Sequence, residues 1–405
     1  MLDTGIERSD QLSRVSGFGK ETKNVLTRRD FMIATAMVGA GAVTIATLGQ
    51  KEAAAQGAKE PATPAKTTGA TLRLEEVLKA AREKLHPQCR VCPECNGVAC
   101  AGEVPGFGGI GTGSSFRANC EALARRHLKI RTFHEVKKPD SSFILWGQKL
   151  AIPILAAPMG GTKINMGGKM SEEEFGNALL DGCIMAGTFG MVTDIFEPLP
   201  VYETRIKAIA ARNGKGVAII KPRTQEEIIK RIRIVESSGA LAVGIDIDSA
   251  GMAARLPVEP KTLKQLKELT SATKLPFIIK GIMTPEEAEI AVEGGAAAIV
   301  VSNHGGRVLD HTPGAADVLP EIAHKVKGKV IIFCDGGIRY GTDVLKLIAL
   351  GADAILVGRP LIYGAFGAGQ EGVALMLNKM KGELVSAMIL TGTGSIRSVS
   401  KDILA

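Results

Sequence analysis

Residues 330–360 read "VIIFCDGGIRYGTDVLKLIALGADAILVGRP". An uninterrupted apolar run, 330–334, ends on an acid and two glycines. Apolar residues then recur at helical spacing through "GTDVLKLIALGA", and a second apolar run, 354–357, ends on Gly358-Arg359. A run with no polar alternation predicts a strand buried on both faces, and a helix between two such runs predicts a parallel crossover.

The same unit recurs upstream. Apolar runs stand at "IPILAAP" (152–158), "IMAGTFG" (184–190), "GVAIIKP" (216–222), "LAVGIDID" (241–248), "PFIIKG" (276–281) and "AAIVVSN" (297–303). Amphipathic stretches separate them, among them "TQEEIIKRIRIVESSG" and "TPEEAEIAVEGG". The second opens on Thr-Pro with acids in its first turn, the chemistry of a helix N-terminus. Eight strand–helix units in succession predict an α/β fold, a closed (β/α)8 TIM barrel, over residues 131–405. No GxGxxG opens the first unit, which argues against a dinucleotide-binding sheet.

The 405 residues include 48 Gly and a single Trp, a composition suited to tight turns and close helix packing. The net charge of +8 is dispersed, with no basic run interleaved with aromatics, so nucleic acid is not an expected partner. Upstream of the barrel, Arg28-Arg29 precede an uncharged stretch from Phe31 to Gln50. Residues 1–55 are expected to form a twin-arginine-type export signal, directing the chain to a periplasm or cell envelope, or an uncleaved membrane anchor. Residues 56–70 read as a Pro-containing linker, and 71–130 as one helix plus a short Cys-rich segment.

In a barrel of this kind the chemistry sits at the C-terminal ends of the strands. Those ends carry Asp246, Asp248, Lys280, Ser302, Asn303, His304, Asp335, Gly336, Gly337, Arg339, Gly358 and Arg359. So many polar groups at one mouth predict an active site. Glycines ahead of two helix N-termini, with an arginine beside each, predict an anion site.

The motifs "SNHGGRVLD", "DGGIRYGTDVLKLIALGA" and "GRP" resemble those of the FMN-dependent α-hydroxy acid dehydrogenases and oxidases, of the glycolate oxidase and lactate oxidase type. The resemblance covers about residues 145–400. With its Cys segment, the whole chain resembles a bacterial subgroup of α-hydroxy-acid oxidizing proteins. The resemblance implies oxidation of a small L-2-hydroxy acid to the 2-oxo acid on FMN. It makes His304 the base, Asp248 its paired acid, and Lys280 the cation beside the flavin. Arg307 and Arg255 would hold the substrate carboxylate. Ala157, Pro158, Lys280, Ser302, Asp335, Gly336, Gly337, Arg339, Gly358 and Arg359 would contact FMN. Relatives in this family often form homo-oligomers. Oxygen, a quinone or a redox protein each fit as electron acceptor.

Three departures from the family accompany these matches. The expected substrate-side tyrosines are missing, since Tyr202, Tyr340 and Tyr363 stand elsewhere. The loop after strand 4 is short, and Asp246 replaces a threonine. Isomerase-type chemistry on an FMN barrel, like that of type 2 isopentenyl diphosphate isomerase, and a non-enzymatic exported flavin or electron carrier are the alternative readings. The run "CRVCPECNGVAC" places Cys89, Cys92, Cys95 and Cys100 at the tight spacing of a zinc or iron–sulfur site. Disulfides or unpaired thiols are the other readings. Cys183 and Cys334 are expected in the core, and His311 at the surface or behind the site.

Overall fold

Eight parallel strands close on themselves in the computed structural model, which describes residues 72–405. The expected signal (1–55) and linker (56–70) lie outside the described residues. Chain order begins with helix α1 (Leu74–Leu85), an irregular segment, helix α2 (Ser114–Ala124) and a short antiparallel hairpin, β1 (Phe143–Leu145) with β2 (Gln148–Leu150). The barrel strands are β3 (Ile154–Met159), β4 (Gly190–Thr193), β5 (Val217–Ile220), β6 (Ala242–Asp246), β7 (Phe277–Ile282), β8 (Ala298–Val301), β9 (Ile331–Cys334) and β10 (Ala354–Val357). Each pairs with the next, and β10 pairs with β3 to close the ring.

Alternation along each strand divides the core in two. Leu155, Val217, Ile219, Ile278, Val300, Phe333 and Leu356 pack together in one cluster, which also takes in Leu145 and Leu150 of the hairpin. Their strand neighbours Ile154, Ala218, Ile220, Ile279, Ile299 and Ile355 pack in the other, with the surrounding helices. This is the two-residue period of a strand with both faces buried. Full burial of one such aliphatic side chain stabilises the fold by about 1.5–3 kcal/mol. Trp146 in the hairpin turn meets Phe333 edge-on at 6.4 Å between ring centroids.

The second strand falls later than its predicted 184–190. Ile184 and Met185 finish helix α4 (Glu172–Met185), Gly187 turns the chain at φ 75°, and the strand runs over 190–193. A short apolar run is compatible with either a helix end or a buried strand. The Ser171–Glu174 capping box that launches α4 decides for the helix.

Helix α3 (Thr162–Asn165) follows β3, and α5 (Leu199–Ala210), α6 (Gln225–Ser237), α7 (Leu263–Ser271), α8 (Pro285–Glu293), α9 (Ala315–Val326) and α10 (Gly341–Ala349) form the crossovers. The last helix, α11 (Arg359–Leu390), is interrupted by non-helical backbone at Ala368 and Gly369, and packs on α1 and α4. Cys183 and Cys334 are fully buried, as expected of core thiols.

Candidate active site

Three neighbouring strands bring one charged network to the barrel mouth. β6 ends on Asp246, and the 3-10 turn Ile247–Met252 that follows it carries Asp248. Lys280 lies opposite Asp246 in the register of β7. His304 stands three residues beyond β8, with its backbone in the left-handed region at φ 58°. Its Nδ1 is 2.8 Å from Asp248 Oδ1 and 3.3 Å from Lys280 Nζ. The shorter contact is to a carboxylate, which can only accept, so Nδ1 carries the proton and Nε2 is left as the basic nitrogen.

Lys280 Nζ donates to Asp246 Oδ1 at 2.8 Å and lies 3.6 Å from Asp248 Oδ2. Burial disfavours its ammonium form, but Asp246, Asp248 and Asp335 around it outweigh burial and raise its pKa above the ordinary value. Burial likewise pushes the Asp246 carboxyl upward. Lys221 and Lys280 beside it overcome that and hold it well below the usual carboxylate range.

Lys221 is the residue that sequence reasoning missed. It follows β5, and its Nζ donates to Asp246 Oδ2 at 2.6 Å and to Ser249 Oγ at 2.9 Å. The signal was present, since the motif "AIIKPR" puts this lysine at a strand end. Asp246, Asp248 and His304 bring three potential metal-ligand atoms within 4.8 Å of one another. Two ammonium groups already neutralise this set, so its chemistry suits proton handling rather than a metal ion.

The turn after His304 is held from the outside. His304 N donates to Ser302 Oγ at 3.0 Å. Asn303 accepts from Asn119 Nδ2 at 2.8 Å, which ties the turn to α2. Gly306 has φ 78°, and a Cβ there would fall 2.3 Å from the Phe116 backbone nitrogen. Only glycine allows α2 so close. Arg307 is half-buried and donates to the Gly106 carbonyl and, at 3.0 Å, to Asn165 Oδ1. Burial, and next the neighbouring Arg359, lower its pKa to about 10, which leaves it charged at neutral pH. Arg255 stands exposed on the loop after the 3-10 turn.

The anion-directed residues gather at the ends of β9 and β10. Arg339 and Arg359 both face the Phe116 ring, Arg359 at 3.8 Å from its centroid. Arg359 donates to the carbonyls of Phe107 (2.8 Å from Nε) and Gly305 (3.3 Å), while Arg339 Nε donates to Cys95 O at 3.1 Å. Both guanidinium groups are therefore tied to the segment 95–108. Gly336 and Gly337 take φ 98° and 79°, and a Cβ on either would fall 2.6 Å from an Asn119 atom. Ala157 and Pro158 lie in β3, and Gly358 precedes α11.

The FMN implied by the resemblance can be tested on two orphaned atoms. Asp335 Oδ1 and Asp248 Oδ2 are buried without a hydrogen-bond partner. Buried acceptors left unpaired are costly, so they call for donors from outside the chain. Hydroxyl groups of a ribityl chain and of a hydroxy acid supply such donors, and Lys280 offers a fixed cation between them. The residues fit the group.

All seven cysteines are unbridged, so the disulfide reading is not realised. Among the described residues no three thiols converge within the 4.8 Å that the Asp–Asp–His trio achieves. His311 is exposed, and its Nδ1 lies 3.2 Å from Ser114 Oγ.

Comparison with known proteins agrees with the geometry. The family model described as FMN-dependent dehydrogenase matches residues 107–259 and 250–405. A 2-hydroxyacid oxidase of Dictyostelium discoideum is 33% identical over 328 residues, covering 71% of this chain and 81% of that protein. A peroxisomal (S)-2-hydroxyacid oxidase of Arabidopsis thaliana is 31% identical over 332 residues, covering 73% and 89%. A solved structure of a mandelate oxidase mutant with (S)-mandelic acid superposes with a TM-score of 0.67 at 29% identity, covering 83% of this chain and 98% of that one.

The expectation of export or of a membrane anchor is corrected here. Relatives whose names carry a compartment are peroxisomal, in Arabidopsis thaliana and in rice. Among the described residues no helix is long and apolar enough to cross a membrane. The chain belongs to the FMN-dependent dehydrogenase family, as an FMN-dependent oxidoreductase that converts a small 2-hydroxy acid into the corresponding 2-oxo acid.

Proposed function

We propose that the substrate is a small L-2-hydroxy acid of the lactate or glycolate kind, and that His304 is the base. The observation that carries this reading is the 2.8 Å contact between His304 Nδ1 and Asp248 Oδ1. It supports the tautomer in which Nε2 accepts the substrate hydroxyl proton, with an anion beside the imidazolium that results. Bound FMN supplies the acceptor for the two electrons that leave with the α-hydrogen. Ala157, Pro158, Ser302, Asp335, Gly336, Gly337, Arg339, Gly358 and Arg359 would hold it, with Lys280 as a preorganised positive charge beside it.

Arg307 holds the substrate carboxylate in this reading. Its fork exchanges the Gly106 carbonyl and the Asn165 amide oxygen for two carboxylate oxygens, a stronger charge-assisted pair. Arg255 is the candidate second cation, acting from the rim. Oxygen, a quinone or a redox protein takes the electrons onward, and the assembled enzyme is a homo-oligomer. The Cys-bearing start of the chain supports placing it in the Cys-rich bacterial subgroup.

The test is product formation by FMN-loaded enzyme from L- and D-forms of small 2-hydroxy acids, read as the hydrazone of the 2-oxo acid. L-acids are expected to react. Turnover of D-acids only, or of none, would refute the substrate assignment.

A further inference from the structure

Cys89, Cys92, Cys95 and Cys100 all line one narrow cleft, together with Arg359 and Tyr363. The chain between the first and last of these thiols has no regular secondary structure. It wraps through left-handed backbone at Val91 (φ 43°) and Gly97 (φ 85°), and a Cβ at Gly97 would strike the Phe116 ring at 2.7 Å.

The sulfur atoms are supplied with donors. Val91 N donates to Cys89 Sγ at 3.4 Å, and Arg339 Nη2 donates to Cys95 Sγ at 3.2 Å. The Tyr363 hydroxyl lies 3.7 Å from Cys89 Sγ and 3.3 Å from Cys95 Sγ. Two guanidinium groups beside a set of thiols offset the negative charge that four ligating thiolates would bring. Cys183 and Cys334, fully buried in the barrel, show the contrasting environment of thiols used only for packing.

A single zinc ion draws its four sulfurs to roughly 3.8 Å from one another, given Zn–S bonds of about 2.3 Å in a tetrahedron. The four thiols are not gathered that closely, since no three of them lie within 4.8 Å of one another. A cubane cluster separates its ligating sulfurs more widely, and a C-x2-C-x2-C run is the spacing that ferredoxin-type sites use. We propose that Cys89, Cys92, Cys95 and Cys100 hold a [4Fe–4S] cluster, seated against Arg339 and Arg359. Each thiol loses its proton and forms one Fe–S bond. Iron and sulfide come from outside the chain. Because Arg359 also donates to Gly305 O in the His304 turn, the cluster borders the mouth of the barrel.

The experiment is iron, acid-labile sulfide and zinc analysis of the full chain, purified anaerobically and reconstituted with ferrous iron and sulfide, with spectra of the dithionite-reduced protein. The expected result is about four iron and four sulfide per chain, with a paramagnetic signal on reduction. Cys92→Ser and Cys95→Ser are expected to lose most of the iron while keeping FMN, and Cys120→Ala, on α2 and not among the residues lining the cleft, to keep both. Mass spectrometry after alkylation gives a second readout on the unmutated chain, with all four cysteines protected when reconstituted. One zinc per chain, disulfides among the four, or four alkylatable thiols after reconstitution would each overturn the proposal. Iron content is read without any hydroxy acid, so its failure and failure of the substrate assignment are separate results.

Discussion

Lys221 Nζ lies 2.6 Å from Asp246 Oδ2, on the side of the carboxylate opposite Lys280. One buried anion thus holds two buried cations in place, and the second of them, Lys280, in turn contacts the His304 ring. Coulomb attraction offsets the desolvation of all three only while the set is complete. Lys221→Met is therefore expected to destabilise the fold by about 3 kcal/mol. Urea unfolding checks this, and the double variant Lys221→Met/Asp246→Asn is expected to cost less than the two single changes added together.

The same carboxylate sets a pH dependence. Its pKa is depressed in the folded state by Lys221 and Lys280, so its contribution is fully present above the unfolded carboxylate value of about 3.9. That contribution is lost as pH falls from there toward the folded value. Wild-type stability is expected to fall more steeply below pH of about 4 than that of Asp246→Asn, measured by urea midpoints across the acid range.

In the proposed mechanism Asp248, 2.8 Å from His304 Nδ1, orients the imidazole and balances its charge after proton transfer. Asp248→Asn is expected to lower kcat on the order of 10²-fold with a smaller change in KM, because the lost interaction develops during reaction. Steady-state kinetics on an L-2-hydroxy acid reads the split. An effect confined to KM would remove Asp248 from the proposed role.

Gly306 is expected to resist substitution for a reason outside the chemistry. An alanine Cβ would meet the α2 backbone at 2.3 Å, and φ 78° adds strain of its own. Gly306→Ala should destabilise by about 3 kcal/mol and lower FMN affinity by displacing the turn, read by thermal melts and flavin titration.

The barrel was legible because each strand is an apolar run too short for a helix and flanked by turn chemistry. The β4 segment was not, because the apolar tail of α4 runs straight into it. At the mouth, His304, Asp248 and Lys280 could be found from strand ends alone. Lys221 was equally visible there, as a cation that directly follows the apolar run of β5. Asn119 and Asn165 carried no such signal. They sit on α2 and α3, and only the packing of those helices brings them to the His304 turn and to Arg307. The carbonyls that bind Arg339 and Arg359 come from an irregular segment whose path no periodicity encodes.

The most direct test of the account is anaerobic mixing of FMN-loaded enzyme with small L-2-hydroxy acids, following the visible flavin absorbance in the wild type and in His304→Ala. Wild-type flavin is expected to bleach with at least one acid, and His304→Ala to bleach on the order of 10²–10⁴-fold more slowly. Flavin that stays oxidised with every acid, or a His304→Ala variant that bleaches at the wild-type rate, would contradict it.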